Sequence, residues 1–159
     1  LNGYLEDSDL VLDGGQSVIG LESTIIDCTH DAPRILRPGA ITAEMIQGST
    51  GINRLNVDET SELRVSGSLE KHYSPLARVI LDQVPVSGQG YIAMSTFPTP
   101  QGVVRLAQPR SNEEFARDLH SALRKADGLG LNSLVIQQPP GDGIAIAIRD
   151  RALRASKGR

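Results

Sequence analysis

The sequence predicts a layered α/β protein in two parts, and three observations carry that prediction. Short apolar runs rich in Ile and Val recur along the chain, each bounded by Gly, Pro or Asp. Between the later runs lie stretches with helical spacing of apolar residues. In the middle, residues 48–77 turn to Gly, Ser, Thr and Asn with scattered apolar residues, which reads as a connection between two folded parts.

In order, "DLVLDGG" (9–15) reads as a buried strand ended by a Gly-Gly turn. Residues 18–29 form a second β-branched run. Asp31-Ala32-Pro33 marks a turn, and "RILRPGA" gives a strand ending at Pro38-Gly39. Thr42 is placed to N-cap a short helix, "TAEMIQ", with Glu44 in its first turn. After the connection, "ARVILD", "GYIAMST" and "GVVRLAQ" read as strands. Ser111 N-caps a helix over 112–126, whose Phe115, Leu119, Ala122 and Leu123 share one face. The "GLG" at 128–130 is its C-terminal stop, and "SLVIQQPP" is another strand. A last helix starts at Asp142, with Ile144, Ile148 and Leu153 inward and Arg149, Arg151 and Arg154 in its later turns. Strands separated by helices in residues 78–159 predict a unit with its own core.

Composition narrows the function. Hydrophobic residues make up 39% and aromatics 3%, with no Trp, so cores rest on Ile, Leu, Val and Ala. The net charge is −3, and residues 1–50 hold eight Asp/Glu against two arginines. Without a basic run, direct binding to nucleic acid is not expected. A single cysteine, Cys28, forms no internal disulfide, which suits a reducing cytoplasm. No run of about 18 apolar residues predicts a membrane span. The opening "LNGYLEDSDL" reads as starting within an element, so the chain is expected to be a fragment.

Among chemistry-bearing groups, His30, His72 and His120 lack the spacing of a zinc site. His120 is expected in solvent and Cys28 in a buried strand. Three other features matter more. "GLEST" places Glu22, Ser23 and Thr24 inside an apolar run, either as a strand edge facing water or as a face for a ligand. "ILRPGA" ends a strand on Arg37, whose fork suits phosphate or carboxylate but equally a salt bridge. "KHYSP" puts Tyr73 in the connection, where its ring can stack on a base or pin the segment.

Taken in order, "DLVLDGGQSVIGLESTIIDCT", "PRILRPGAIT", "SGSLEKHYSP" and "ALRKADGLGLNSLVIQQPPGDGIAIAIRDRALRAS" resemble the C-terminal part of the long, two-domain YrdC-like threonylcarbamoyl-adenylate synthases. The resemblance implies three parts: the end of a YrdC-like α/β catalytic domain (1–50), a linker (51–77), and a small Rossmann-like three-layer α/β accessory domain (78–159). It implies a nucleotidyl-transfer reaction in which L-threonine, bicarbonate and ATP give threonylcarbamoyl-adenylate and pyrophosphate, with Mg2+ on the phosphates. Other proteins then transfer the threonylcarbamoyl group to tRNA. The resemblance assigns Ser23 to threonine, and Arg37 and Tyr73 to ATP. The Lys-x-Arg and Ser-x-Asn motifs that the family carries ahead of the DGG strand have no counterpart there, so residues 1–159 alone are expected to be inactive. Ala145 also stands where the family usually has Gly. A non-catalytic docking module and a carbamoyl-transfer maturation factor of the same fold are the alternative readings.

Overall fold

A computed structural model describes residues 10, 12, 15, 19–52, 55–57 and 74–158. The expected strand at 9–15 falls largely outside these residues.

The first part is a small sheet with one helix. Strands β1 (Ile25–Asp27) and β2 (Arg34–Arg37) pair antiparallel, with Ile26 opposite Ile35 and Asp27 opposite Arg34. A register irregularity falls between Ile25 and Ile26. The strand expected over 18–29 is thus only three residues long. Residues 19–24 leave the sheet because other groups take them: Leu21 packs on the core of the second part, and Thr24 Oγ1 donates to the Ile41 carbonyl at 2.6 Å. On the other side of β2 lies β3 (Asn56–Val57), in parallel register, so the expected linker supplies a strand to this sheet.

Helix α1 (Ala43–Thr50) starts where the sequence places it. Thr42 accepts a hydrogen bond from the Met45 N–H, satisfying one of the donors that a helix start leaves open. It ends at Gly51, in the left-handed region at φ 70°, whose N–H returns to the Gln47 carbonyl.

The second part is a four-stranded parallel sheet: β4 (Arg78–Leu81), β5 (Gly90–Ile92), β6 (Val104–Ala107) and β7 (Ser133–Ile136), in the order β4-β7-β5-β6. Helix α2 (Asn112–Gly128) carries the chain from β6 back to β7, and α3 (Ile144–Lys157) follows β7. Both helices pack on one face of the sheet. There Val79, Ile92, Leu134 and Ile136 meet Phe115, Leu119 and Ile148. Each such side chain contributes about 1.5–3 kcal/mol by leaving water. The described residues show two of the three expected layers, sheet and helices. On the opposite face Tyr91, Ala93 and Val135 form a smaller cluster, as period-2 alternation requires of a sheet buried on both sides. Arg105 lies on that face, 4.7 Å from the Tyr91 ring centroid. It donates to the carbonyls of Ala93, Met94, Phe97 and Ala107, which fixes the loop after β5.

Helix α2 is capped as expected. Ser111 Oγ accepts from the Glu114 N–H, and Glu114 accepts in return from the Arg110 N–H. At its far end Leu129, Gly130 and Leu131 donate back to the last turn, with Gly130 at φ 65°.

Helix α3 departs from expectation in two ways. It starts two residues later, at Ile144, with Gly143 at the N-cap and no side-chain cap. Leu153, expected inward, is 44% exposed, while Arg151 is buried at 3%. The reason is angular. At 100° per residue, Leu153 sits about 140° round the helix from Ile148, whereas Ala152 and Ala155 continue the Ile148 face. These small residues allow a close approach to the sheet, and Arg151 is buried next to them in the helix.

Candidate functional site

The β1–β2 register builds the site. Residues 35 and 37 point the same way along β2, so Arg37 takes an inward position next to Ile35 and ends 6% exposed. A buried guanidinium needs acceptors, and the "GLEST" segment supplies them. Arg37 Nε donates to the Ser23 carbonyl and Nη2 donates to Ser23 Oγ, both at 2.9 Å, while Nη1 lies 3.7 Å from Glu22 Oε2. Ser23 itself is exposed above this buried arginine. Its Oγ accepts from Arg37, so its O–H remains a donor for an incoming acceptor.

Gly39 makes the closeness possible. A Cβ there would collide with the backbone of Glu22, Ser23 and Thr24. The Pro-Gly pair that ends β2 therefore seats the polar segment against the arginine strand. Each member of the polar triplet has its partner: Glu22 and Ser23 hold Arg37, and Thr24 holds the Ile41 carbonyl.

A second polar cluster lies at the far end of the hairpin. Asp27 Oδ1 accepts from the N–H and the hydroxyl of Thr29, and Oδ2 accepts from Arg34 at 2.7 Å. The Thr29 hydroxyl first, then Arg34 and the Thr29 N–H, hold this carboxyl well below the usual range. The arrangement locks the turn and leaves Asp27 committed to its own strand pair. His30 Nε2 is 3.8 Å from Asp27 Oδ2. Cys28, expected as a buried strand residue, is exposed, because β1 ends at Asp27.

The sequence predicts three site residues, and the structure brings two together. Ser23 and Arg37 are bonded, while Tyr73 lies outside the described residues. Its neighbour Ser74 packs against Gly158 at the end of α3, and the Ala77 N–H donates to Asp127 Oδ1 at 3.1 Å. The end of the connection is thus fixed to the second part.

Two residues that the sequence reading did not assign to a ligand also belong here. Glu22 faces Arg37, a pairing only the hairpin register reveals. His120 is half-buried rather than solvated: burial first, then the charge of Arg151, lowers its pKa, and the Glu22 carboxylate opposes that shift. Among the described residues no three His, Cys, Asp or Glu side chains cluster as a metal site, and no helix is long and apolar enough to cross a membrane.

Fold and site together define a class. This is an α/β chain whose small parallel-sheet unit follows a strand pair that presents a serine over a buried arginine. The family is then plain. The model for "Threonylcarbamoyl-AMP synthase, C-terminal domain" matches residues 41–157, and the chain belongs to that family. Beyond that range, curated relatives align with 92–94% of the chain, so the Ser23–Arg37 hairpin is not left out by length. The threonylcarbamoyl-AMP synthase of Bacillus subtilis is 29% identical over 94% of this chain and 49% of its own length. That of Pyrococcus abyssi is 28% identical over 93% of this chain, and that of Schizosaccharomyces pombe 27% over 92%. The crystal structure of P. abyssi Sua5 complexed with L-threonine superposes with a TM-score of 0.70 at 29% identity, over 92% of this chain and 49% of that one. The chain spans about half the length of these relatives.

Proposed function

We propose that this chain is the C-terminal part of an L-threonylcarbamoyladenylate synthase. Its parts are the end of the catalytic domain (1–50), a linker (51–77) and an accessory domain (78–159). The complete enzyme joins L-threonine, bicarbonate and ATP. The threonine nitrogen takes up bicarbonate as a carbamate with loss of water, a carbamate oxygen attacks the α-phosphate, the bond to the β-phosphate breaks, and pyrophosphate leaves. The threonylcarbamoyl group then passes to tRNA through other proteins, in the cytoplasm.

The observation that carries this reading is the Ser23–Arg37 pair in a chain of this family. Ser23, exposed with a hydroxyl proton to donate, suits the carboxylate of a small amino acid, and we assign it to threonine. Arg37 supplies a planar cation for the ATP phosphates. It is buried under Ser23, so phosphate reaches it by replacing one of its present acceptors. Tyr73 is assigned to cover the nucleotide from the linker, which would keep water from a labile mixed anhydride. Mg2+ belongs on the phosphates. Among the described residues no three His, Cys, Asp or Glu side chains cluster, and no step here depends on a protein ligand to the metal.

The test is pyrophosphate release that requires both threonine and bicarbonate. The full-length protein should show it and residues 1–159 alone should not. In the full-length protein, Ser23→Ala should raise the KM for threonine, and Arg37→Ala and Tyr73→Ala that for ATP, by about tenfold or more. Release independent of threonine would reject the assignment.

A further inference from the structure

The accessory unit touches the site segment itself. At Gly20 a Cβ would stand 2.5 Å from the Arg117 carbonyl oxygen and 2.6 Å from that of Ala116, so the chain lies directly on the backbone of α2. The next residue, Leu21, packs into the core formed by α2, α3 and the parallel sheet. The residue after that is Glu22, and Ser23 follows. Three consecutive positions therefore run from the body of the accessory unit to the proposed threonine contact.

Glu22 is the polar link in this run. Its side chain is 23% exposed and that of Arg37 is 8% exposed, so their 3.7 Å pairing is largely shielded from water. The same carboxylate acts on the helices. It favours the charged form of His120 on α2 and opposes ionisation of Asp150 on α3, where Asp150 is held by Arg154 at 2.9 Å. The geometric link is the segment itself, in which Glu22 meets Arg37 on β2 and the two residues before it rest on α2 and the accessory core.

We propose that Glu22 is a positioning residue: it orients the Arg37 guanidinium while Gly20 and Leu21 seat its segment on α2 and the accessory core, so that the accessory unit sets the geometry of the Ser23–Arg37 pair. This rests on the proposed role of Arg37 in binding ATP. The accessory unit then acts at the site by direct contact, through residues 20–22.

The experiment measures KM and kcat in the full-length enzyme, with folding followed by circular dichroism. Glu22→Gln keeps the shape and removes the charge. It should raise the KM for ATP about tenfold, leave kcat within about twofold, and leave the unfolding midpoint nearly unchanged. Glu22→Asp, with its charge restored one methylene short, should recover part of the loss. Gly20→Ala, which pushes the segment off α2 without touching any charge, should raise the same KM. An unchanged KM in Glu22→Gln overturns the inference, as does a rise that only follows loss of folded protein. Arg37→Ala is measured beside them. If it raises the KM for ATP and Glu22→Gln does not, the inference alone fails. If Arg37→Ala has no effect, the assignment of Arg37 fails and the inference with it.

Discussion

Residues 19–51 and residues 74–158 are held together differently. The second part rests on a continuous apolar core, in which Phe115, Leu119, Leu134 and Ile148 are at 0% exposure. The first part has few buried apolar side chains, notably Ile35 and Ile46, and its side-chain contacts are largely polar: Asp27 with Thr29 and Arg34, and Arg37 with Ser23 and Glu22. The contrast suggests a division of labour. The region that carries the proposed chemistry is thinly packed and borrows support, through Gly20 and Leu21, from a region that carries none of it.

Four changes would sharpen or break this contrast. The largest effect is expected from Phe115→Ala, which opens a cavity in the main core and should lower the stability of the second part by about 3–5 kcal/mol in denaturant titration. A loss below about 1 kcal/mol would mean that this core does not carry the unit. Next is Arg105→Ala. It releases four carbonyls and uncovers the Tyr91 ring, for a loss of about 2–3 kcal/mol and faster hydrogen exchange at 93–97. Thr42→Ala removes the cap of α1 and should cost about 1 kcal/mol, felt in exchange at 43–50 and not in the second part.

The smallest effect concerns pH. The folded-state pKa of Asp27 is depressed, so its contribution is complete above the unfolded value of about 4 and is lost as pH falls through the folded value. Asp150 is shifted upward by burial and works in the opposite sense, so a global melt mixes the two. Exchange measured at residues 25–37 isolates the first. Protection relative to the intrinsic exchange rate should fall below about pH 4, and Asp27→Asn should remove that acid dependence. If the two hairpin strands stay equally protected in acid, the polar clamp is not what holds them.

Much of this was legible in the sequence where the deciding forces are local. The caps at Thr42 and Ser111, the stop near Gly130 and the four strands of the parallel sheet follow from side-chain chemistry and apolar spacing within a few residues. The errors have different causes. Leu153 faces outward because 100° per residue carries it off the Ile148 face, and Cys28 is exposed because β1 ends at Asp27. His120 is half-buried because of groups far along the chain. The short β1 has the same origin, since residues 19–24 leave the sheet for α2 and for Ile41. At the site, Ser23 and Arg37 could be suspected from residue type, but their bonding depends on a hairpin register that no local pattern encodes. Glu22 was least legible, because the helix that seats its segment lies about a hundred residues downstream.

One contact has a consequence for how such a unit can be gained, lost or rearranged. Ser74, where the described chain resumes after the connection, touches Gly158 beyond the last helix. The unit's entrance and exit therefore coincide in space. A domain with adjacent ends can be cut out, relocated into a surface loop, or circularly permuted without redrawing its interior. Joining residue 158 to residue 74 through a short Gly-Ser bridge and opening the chain at the Ser87-Gly88 turn should give a permuted domain with the same parallel sheet. The test is whether it still folds cooperatively.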